Sequence, residues 1–304
     1  RGRAVMNASS SAGQSDASHA SPPRGRPIIM RRLPTMDAPA ATPRDVDSAP
    51  VDLAVAITAF NSMRTIQRTL ESVRGLARAV VVVDSGSTDG TIECCRRMGA
   101  TVIEHPWMGY GEQKRISIRH CAGHGWILVL DSDESVEPAL AADMRRAIEN
   151  DDGACDGYEV NRKMWFLGGW LRHTFQPEWR LRLFRAGRGE VEGDLHEAIV
   201  VRGRTGRLAG DLRHDSYAGV EDMLRRHVRY ASVHAAHGGA GGSLFRILFS
   251  PSAAFVKQLL LRRGLLDGWR GILMAGGMAS HALMKHLLVA ERKRFAPQRA
   301  ERGT

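Results

Sequence analysis

Two short acidic segments hold the densest chemistry in this sequence: Asp84-Ser-Gly-Ser-Thr-Asp-Gly90 and Asp131-Ser-Asp-Glu134. In an extended stretch, residues two apart point the same way, which aims Asp131 and Asp133 at one point. Two carboxylates so placed repel unless a cation joins them. Oxygen-only ligands suit Mg²⁺ or Mn²⁺, which bind through one or two carboxylates and complete their shell from substrate phosphates. The competing reading is a turn of solvated acids ahead of the helix that Pro138 opens. Asp84 follows four valines and has two readings of its own. It is a turn residue accepting backbone amides, or a carboxylate that meets a nucleobase N–H or a ribose hydroxyl.

Buried strands must hold these acids. Leu53-Ala-Val-Ala-Ile57, Ala79-Val-Val-Val-Val83 and Trp126-Ile-Leu-Val-Leu130 are short apolar runs bounded by polar residues, the pattern of strands covered on both faces. Met63, Ile66, Leu70 and Val73 recur at helical spacing, and helices are expected over 88–98, 112–121 and 138–148. Strands alternating with helices predict an α/β fold with a mostly parallel, helix-covered sheet, whose ligands lie at the carboxyl ends of the strands. Beyond residue 155 the pattern changes. Tyr158–Arg162, Arg180–Phe184 and Ala198–Val201 read as strands between long loops. From Val220 onward helices are expected over 220–237, 244–262 and 269–292. Three segments follow: an extension over 1–50 that reads as disordered, a catalytic domain over 51–215, and a helical tail over 216–304.

The 304 residues carry a formal net charge of +10. Such a balance favours anionic partners without choosing among them. Aromatic residues total 6% and no nucleic-acid module is recognisable, so nucleic acid is not an expected partner. A nucleotidyltransferase would want a Gly-rich basic loop near the first strand, and Ala-Phe-Asn-Ser-Met-Arg64 is not one. Cys94, Cys95, Cys121 and Cys155 form no C-x-x-C pair and read as free thiols of a reducing compartment. His173, His196 and His214 match no metal-site spacing. The first fifty residues lack the apolar stretch of a secretory signal.

The chain resembles the family 2 glycosyltransferases of the GT-A fold. The resemblance is carried by Ala-Ile-Thr-Ala-Phe-Asn61, by the strand ending in Val-Val-Asp84-Ser-Gly-Ser-Thr-Asp-Gly, and by Leu-Asp131-Ser-Asp-Glu134. His105-Pro-Trp-Met-Gly-Tyr-Gly-Glu-Gln-Lys114, Gly157-Tyr-Glu-Val-Asn-Arg162, Arg182-Leu-Phe-Arg185 and Leu195-His-Glu197 are similar to the lipopolysaccharide-core β-1,4-glucosyltransferase subgroup. The resemblance implies an inverting transfer from a nucleotide-sugar, usually a UDP-sugar, to a glycolipid acceptor. It implies that Thr58 lines the donor site, that Asp84 contacts the base or ribose and that Lys114 lies near the nucleotide. Asp131 would then sit by the ribose and diphosphate, and Asp133 would ligate the metal. A polyprenyl-phosphate sugar transferase of the same family is the alternative. Two positions depart from many relatives: Ser62 stands where Glu is frequent, and Arg115 where Asn is frequent.

An inverting transfer needs a base for the acceptor hydroxyl. His196-Glu197 occupies the place of the family's acceptor-side acidic motif, so Glu197 is the expected base, with His196 and Glu178 as competitors. Arg180, Arg182 and Arg185 flank one strand, and guanidinium forks suit phosphate oxygens. In the tail, 244–261 and 271–290 are apolar but broken by Arg246, Lys257, His281, Lys285 and His286, and neither is a clean transmembrane span. Helices lying on the anionic inner-membrane surface, on a cytoplasmic protein, are expected instead.

Overall fold

The structure, a computed structural model, describes residues 49–193 and 197–301. The expected N-terminal extension falls, up to residue 48, outside the described residues.

Strand β1 (Val51–Ala59) is central. It pairs in parallel with β2 (Ala77–Asp84) on one side and β4 (Trp126–Asp131) on the other, and β3 (Thr101–Glu104) adds in parallel outside β2. Leu53, Val55 and Ile57 pack into one apolar layer, while Ala54 and Ala56 face the other. Burial on both faces is why these strands read as unbroken apolar runs. Helices α1 (Ile66–Val73), α2 (Thr91–Arg97), α3 (Tyr110–Arg119) and α4 (Pro138–Glu149) connect and flank this half.

The sheet continues past β4 in a different style. β8 (Trp179–Arg185) runs antiparallel to both β4 and β6 (Gly157–Phe166). β11 (Thr205–His214) lies parallel to β6, and the short β5 (Glu134–Val136) closes the edge antiparallel to β11. Among the described residues the order is β3-β2-β1-β4-β8-β6-β11-β5, with β7 (Gly169–Trp170) paired to the end of β6. The α/β fold with its helical extension is as expected. The pairings of its first half are all parallel; the second half mixes the parallel β6–β11 pair with antiparallel ones, so the sheet as a whole is mixed. β11 escaped the sequence because only Leu208 and Leu212 in it are buried apolar residues, among glycines and charges. One of those glycines is required: a Cβ on Gly210 would lie 2.3 Å from the backbone nitrogen of Leu140, where α4 crosses the strand.

A separate hairpin, β9 (Gly189–Glu192) and β10 (Ala198–Val201), leads into and out of the segment before Glu197. Three helices follow: α5 (Val220–Ala236), α6 (Leu244–Val256) and α7 (Gly268–Glu301). α5 and α6 both pack on α7. α6 buries none of its residues, and leaves Leu244, Phe245, Leu248 and Phe249 exposed. The exposed apolar surface continues through Leu260, Leu261, Leu265 and Leu266 before α7 and Trp269 in its first turn. By length and composition alone, Leu244–Leu261 and Gly264–Phe295 are long and apolar enough to cross a membrane, despite the charges within them.

The α5–α7 contact buries imidazoles. His227 lies with Nδ1 3.0 Å from the Gly277 carbonyl, and His281 with Nδ1 3.2 Å from the His227 carbonyl. Burial first, then neighbouring positive charge, lowers the pKa of each below its ordinary value. The fold therefore favours the neutral imidazole at each, whereas the unfolded chain binds protons at them below about pH 6.5. Stability is then complete above that pH and lost as pH falls toward the lower folded values. The slope is at most about 1.4 kcal/mol per pH unit for each group. The melting temperature is expected to drop between pH 7.5 and 5.5, and the drop to shrink in a His227→Gln, His281→Gln double variant. A wild-type melting temperature that stays flat over this range contradicts the account.

Candidate functional site

The carboxyl ends of β1, β2 and β4 meet in adjacent register: Ala59 pairs with Asp84, and Thr58 with Asp131. Short polar residues then tie their loops together. Asn61, at φ +46°, donates its N–H to Ser87 Oγ at 2.8 Å and accepts from Thr88 N at 2.9 Å. Met63 N donates to Asp89 Oδ2 at 3.0 Å, and the Ser62 and Ser132 hydroxyls lie 2.7 Å apart. Asp84 is fully buried, and its carboxylate accepts from Gly86 N (2.9 Å), Ser87 N (2.7 Å) and Ser87 Oγ (2.6 Å). These hydrogen bonds are those of the turn reading of Asp84: its oxygens organise the loop after β2.

Below these loops lies a network of buried charge. Lys114, on α3 and 4% exposed, bridges two carboxylates, with Nζ 2.8 Å from Asp131 Oδ1 and 3.0 Å from Glu197 Oε1. Arg182 on β8 reaches Asp131 Oδ2 at 3.0 Å and Glu134 Oε1 at 2.5 Å. Arg162 on β6 contacts Glu134 at 3.4 Å and Glu178 at 2.6 Å. Burial alone raises the Asp131 carboxyl; Lys114 and Arg182 outweigh it and hold the group well below the usual carboxylate range. The magnitudes agree: each contact near 3 Å is worth about 5 kcal/mol at an effective dielectric near 20, against a desolvation cost of several kcal/mol per ion. Asp131 therefore stays charged, and both of its oxygens carry cations.

Asp133 goes elsewhere. The i, i+2 argument required an extended chain, but β4 ends at Asp131 and the backbone turns at Ser132 and Asp133 before β5. Asp131 and Asp133 flank that turn, Asp131 with both oxygens on cationic side chains and Asp133 toward β11. Asp133 Oδ2 instead lies 3.6 Å from His214 Nε2, at the end of β11. Burial raises the Asp133 carboxyl and His214 more than reverses this, leaving it below its ordinary value. His214, expected to be a scattered histidine, is the residue that sequence reasoning missed. The signal lay only in tertiary structure, since β5 and β11 bring it back 81 residues along the chain from Asp133.

Thr58, Lys114, Asp131, Arg182 and Glu197 are thus gathered in one place. His196 lies outside the described residues. Glu178 is a poor base: burial raises its pKa, but Arg162 and Arg180 bind it and bring the value below the ordinary one. Arg180 takes part only through Glu178, and Arg185 pairs with Asp151 away from the network. His173 belongs to a different cavity. Cys94, Cys95 and Cys121 are buried free thiols, and burial pushes Cys95 and Cys121 up to about 12.

For a divalent cation, Asp133 and His214 are the donors on offer. No group of three or more His, Cys, Asp or Glu side chains among the described residues could hold a metal by itself. The pair fits an open site that a substrate's phosphate oxygens complete, the usual manner of Mg²⁺ and Mn²⁺.

The chain is similar to the lipopolysaccharide core biosynthesis glycosyltransferase LpsC of Rhizobium meliloti (strain 1021), 27% identical over 230 residues that cover 72% of this chain and 83% of that protein. It is 26% identical over 235 residues to an uncharacterised glycosyltransferase of Rickettsia typhi (strain ATCC VR-144 / Wilmington), covering 72% of this chain and 80% of the other. Among solved structures it is loosely similar to a mannosyltransferase of Pyrobaculum calidifontis in complex with GDP-Man and Mn²⁺. There the TM-score is 0.42 and the identity 17%, covering 84% and 91% of the two chains, a likeness too loose to transfer a residue or a ligand. Residues 54–207, the span of the sheet from β1 into β11, match the model of glycosyl transferase family 2, and the chain is a glycosyltransferase of that family.

Proposed function

We propose that the protein transfers a sugar, with inversion, from a nucleotide-sugar to a glycolipid acceptor of the lipopolysaccharide-core class at a membrane surface. UDP is the proposed nucleotide. One observation carries this reading: Lys114 is buried between Asp131 on the donor side and Glu197 on the hairpin side, so a single ammonium links both halves of the reaction. The similarity to a core-biosynthesis enzyme supports the acceptor class.

In this reading Thr58 and the loops after β1 and β2 cradle the nucleoside, with Asp84 shaping the loop. Asp131 is held in place by Lys114 and Arg182 beside the ribose and diphosphate. Mg²⁺ or Mn²⁺, bound by Asp133 and His214, would supply positive charge for the leaving diphosphate. Glu197 uses one oxygen to accept from Lys114 and turns the other toward the acceptor hydroxyl, whose proton it takes. The exposed apolar residues of α6 and of the turn before α7, interleaved with Arg246, Lys257, Arg262 and Arg263, rest on the anionic inner-membrane surface from the cytoplasmic side.

A thermal-shift panel of UDP-, GDP-, ADP- and TDP-sugars, with and without Mn²⁺, tests the donor assignment. A ligand that binds only the native state at a hundredfold excess over its Kd adds about 2.7 kcal/mol of stability. The expected result is a rise in Tm with UDP-sugars that Mn²⁺ enlarges. If no nucleotide moves Tm, with or without metal, the donor reading fails.

A further inference from the structure

Beside the charge network, and separate from it, lies an open cavity of about 310 Å³. Asn161 and Lys163 of β6, Arg172, His173 and Gln176 of the following loop, and Arg263 from the turn before α7 line it, and no carboxylate does. Lys163 and Asn161 are both held from behind by Asp211, at 2.6 and 2.7 Å. Gln176 Nε2 donates to the Arg162 carbonyl at 3.0 Å. The loop itself is fastened by Asp267, whose buried carboxylate accepts from the backbone N–H of Arg172 (2.7 Å), His173 (3.2 Å) and Thr174 (2.8 Å). With His173 Nδ1 3.1 Å from Asp267, its Nε2 is left for another partner. The guanidinium groups of Arg172 and Arg263 have no carboxylate partner among the described residues. Two guanidinium groups without a carboxylate partner, beside an ammonium that Asp211 offsets and an imidazole that Asp267 orients, make a site for an oxyanion.

Its position narrows the source of that anion. Asn161 Oδ1 accepts from the Glu178 N–H at 3.0 Å and Gln176 donates to the Arg162 carbonyl, so the cavity shares the backbone of Arg162 and Glu178 with the charge network. Arg263 stands between Leu260-Leu261 and Leu265-Leu266, the exposed apolar tip of the tail. We propose that this cavity is an acceptor subsite that receives a phosphate or carboxylate borne by the acceptor's sugar, while the acceptor's lipid lies at the apolar tip. This rests on the glycolipid-transfer reading. The anion fixes the acceptor's register relative to Glu197, so the enzyme discriminates for acceptors charged at one position.

The test uses the full chain and an Arg172→Gln, Arg263→Asn double variant. Both side chains are exposed, and Asn tolerates the positive φ of Arg263 (+53°). Tm is read with inorganic phosphate against chloride at equal ionic strength, UDP and Mn²⁺ being present at saturation in both, and the response to UDP is read in chloride with and without the nucleotide. Phosphate is expected to raise Tm of the wild type beyond the chloride control. The double variant is expected to lose more than half of that rise while keeping its response to UDP. An equal phosphate response in the variant, or none in the wild type, overturns the subsite. Loss of the UDP response in the wild type is a different failure, that of the donor reading. A second arm separates an acceptor anion from a lipid headgroup. At equal ionic strength, phosphate and chloride are expected to release the protein equally from phosphatidylcholine vesicles containing phosphatidic acid. Selective release by phosphate makes the cavity a headgroup site and overturns the acceptor assignment.

Discussion

A Lys114→Met enzyme is expected to lose both stability and turnover. The ammonium is almost wholly buried between two carboxylates, and methionine fills its space without its charge. Removing one partner of a buried ion pair costs about 3–5 kcal/mol, because the charge left behind has lost its compensation. Asp131 keeps Arg182, and Glu197 keeps some access to water, so the lower end of that range is expected in urea unfolding. Turnover should fall by a factor of about 10² or more, the usual consequence of removing a charge that preorganises a reaction centre. Lys114→Arg restores the charge and should recover most of the stability with only part of the activity, since a fork does not replace a point charge. A methionine variant as stable and as active as the wild type would mean that the bridge matters to neither property.

Glu197→Gln separates the proton from the scaffold. The amide oxygen still accepts from Lys114, so the fold and the UDP-induced rise in Tm are expected to stay close to wild type. The base is gone, and kcat should drop by about 10²–10⁴, the range that general-base groups contribute. Glu178→Gln is the control: its carboxylate is occupied by Arg162 and Arg180. Its loss should appear in stability, with kcat falling far less. If the two variants lose equal activity, or Glu197→Gln keeps near-full turnover, the base lies elsewhere.

The parallel half of the sheet was legible because burial on both faces leaves its mark on every residue of a strand. Val80 to Val83 admit no other reading. The mixed half was partly legible: β8 alternates arginines with leucines, while β11 carries too few apolar residues to announce itself. The acidic segments were correctly placed at strand ends, since that follows from topology. What the sequence left open was the surroundings of each acid: Asp84 accepts three hydrogen bonds within its own turn, and Asp133 lies past the point where β4 stops being extended. His214 was invisible because its meaning depends on a strand partner far away in the chain. The Lys114–Glu197 contact was legible only as two separate positions, and their joining is a property of the fold.

Lys114, Asp131, Arg182, Glu134, Arg162 and Glu178 form the interior of a string of eight alternating charges that begins at Glu197 and ends at Arg180. Such a string responds to damage according to position. Deleting an interior member turns two like charges toward each other; deleting a terminal one does not. Interior members therefore resist both single replacement and exchange with a neighbour, since either sets like charges face to face, whereas an end can lose its charge without doing so. Glu197 is an end. On the proposed reading it takes up the acceptor's proton in each catalytic cycle, and from that position gives it up again without setting the other members against one another.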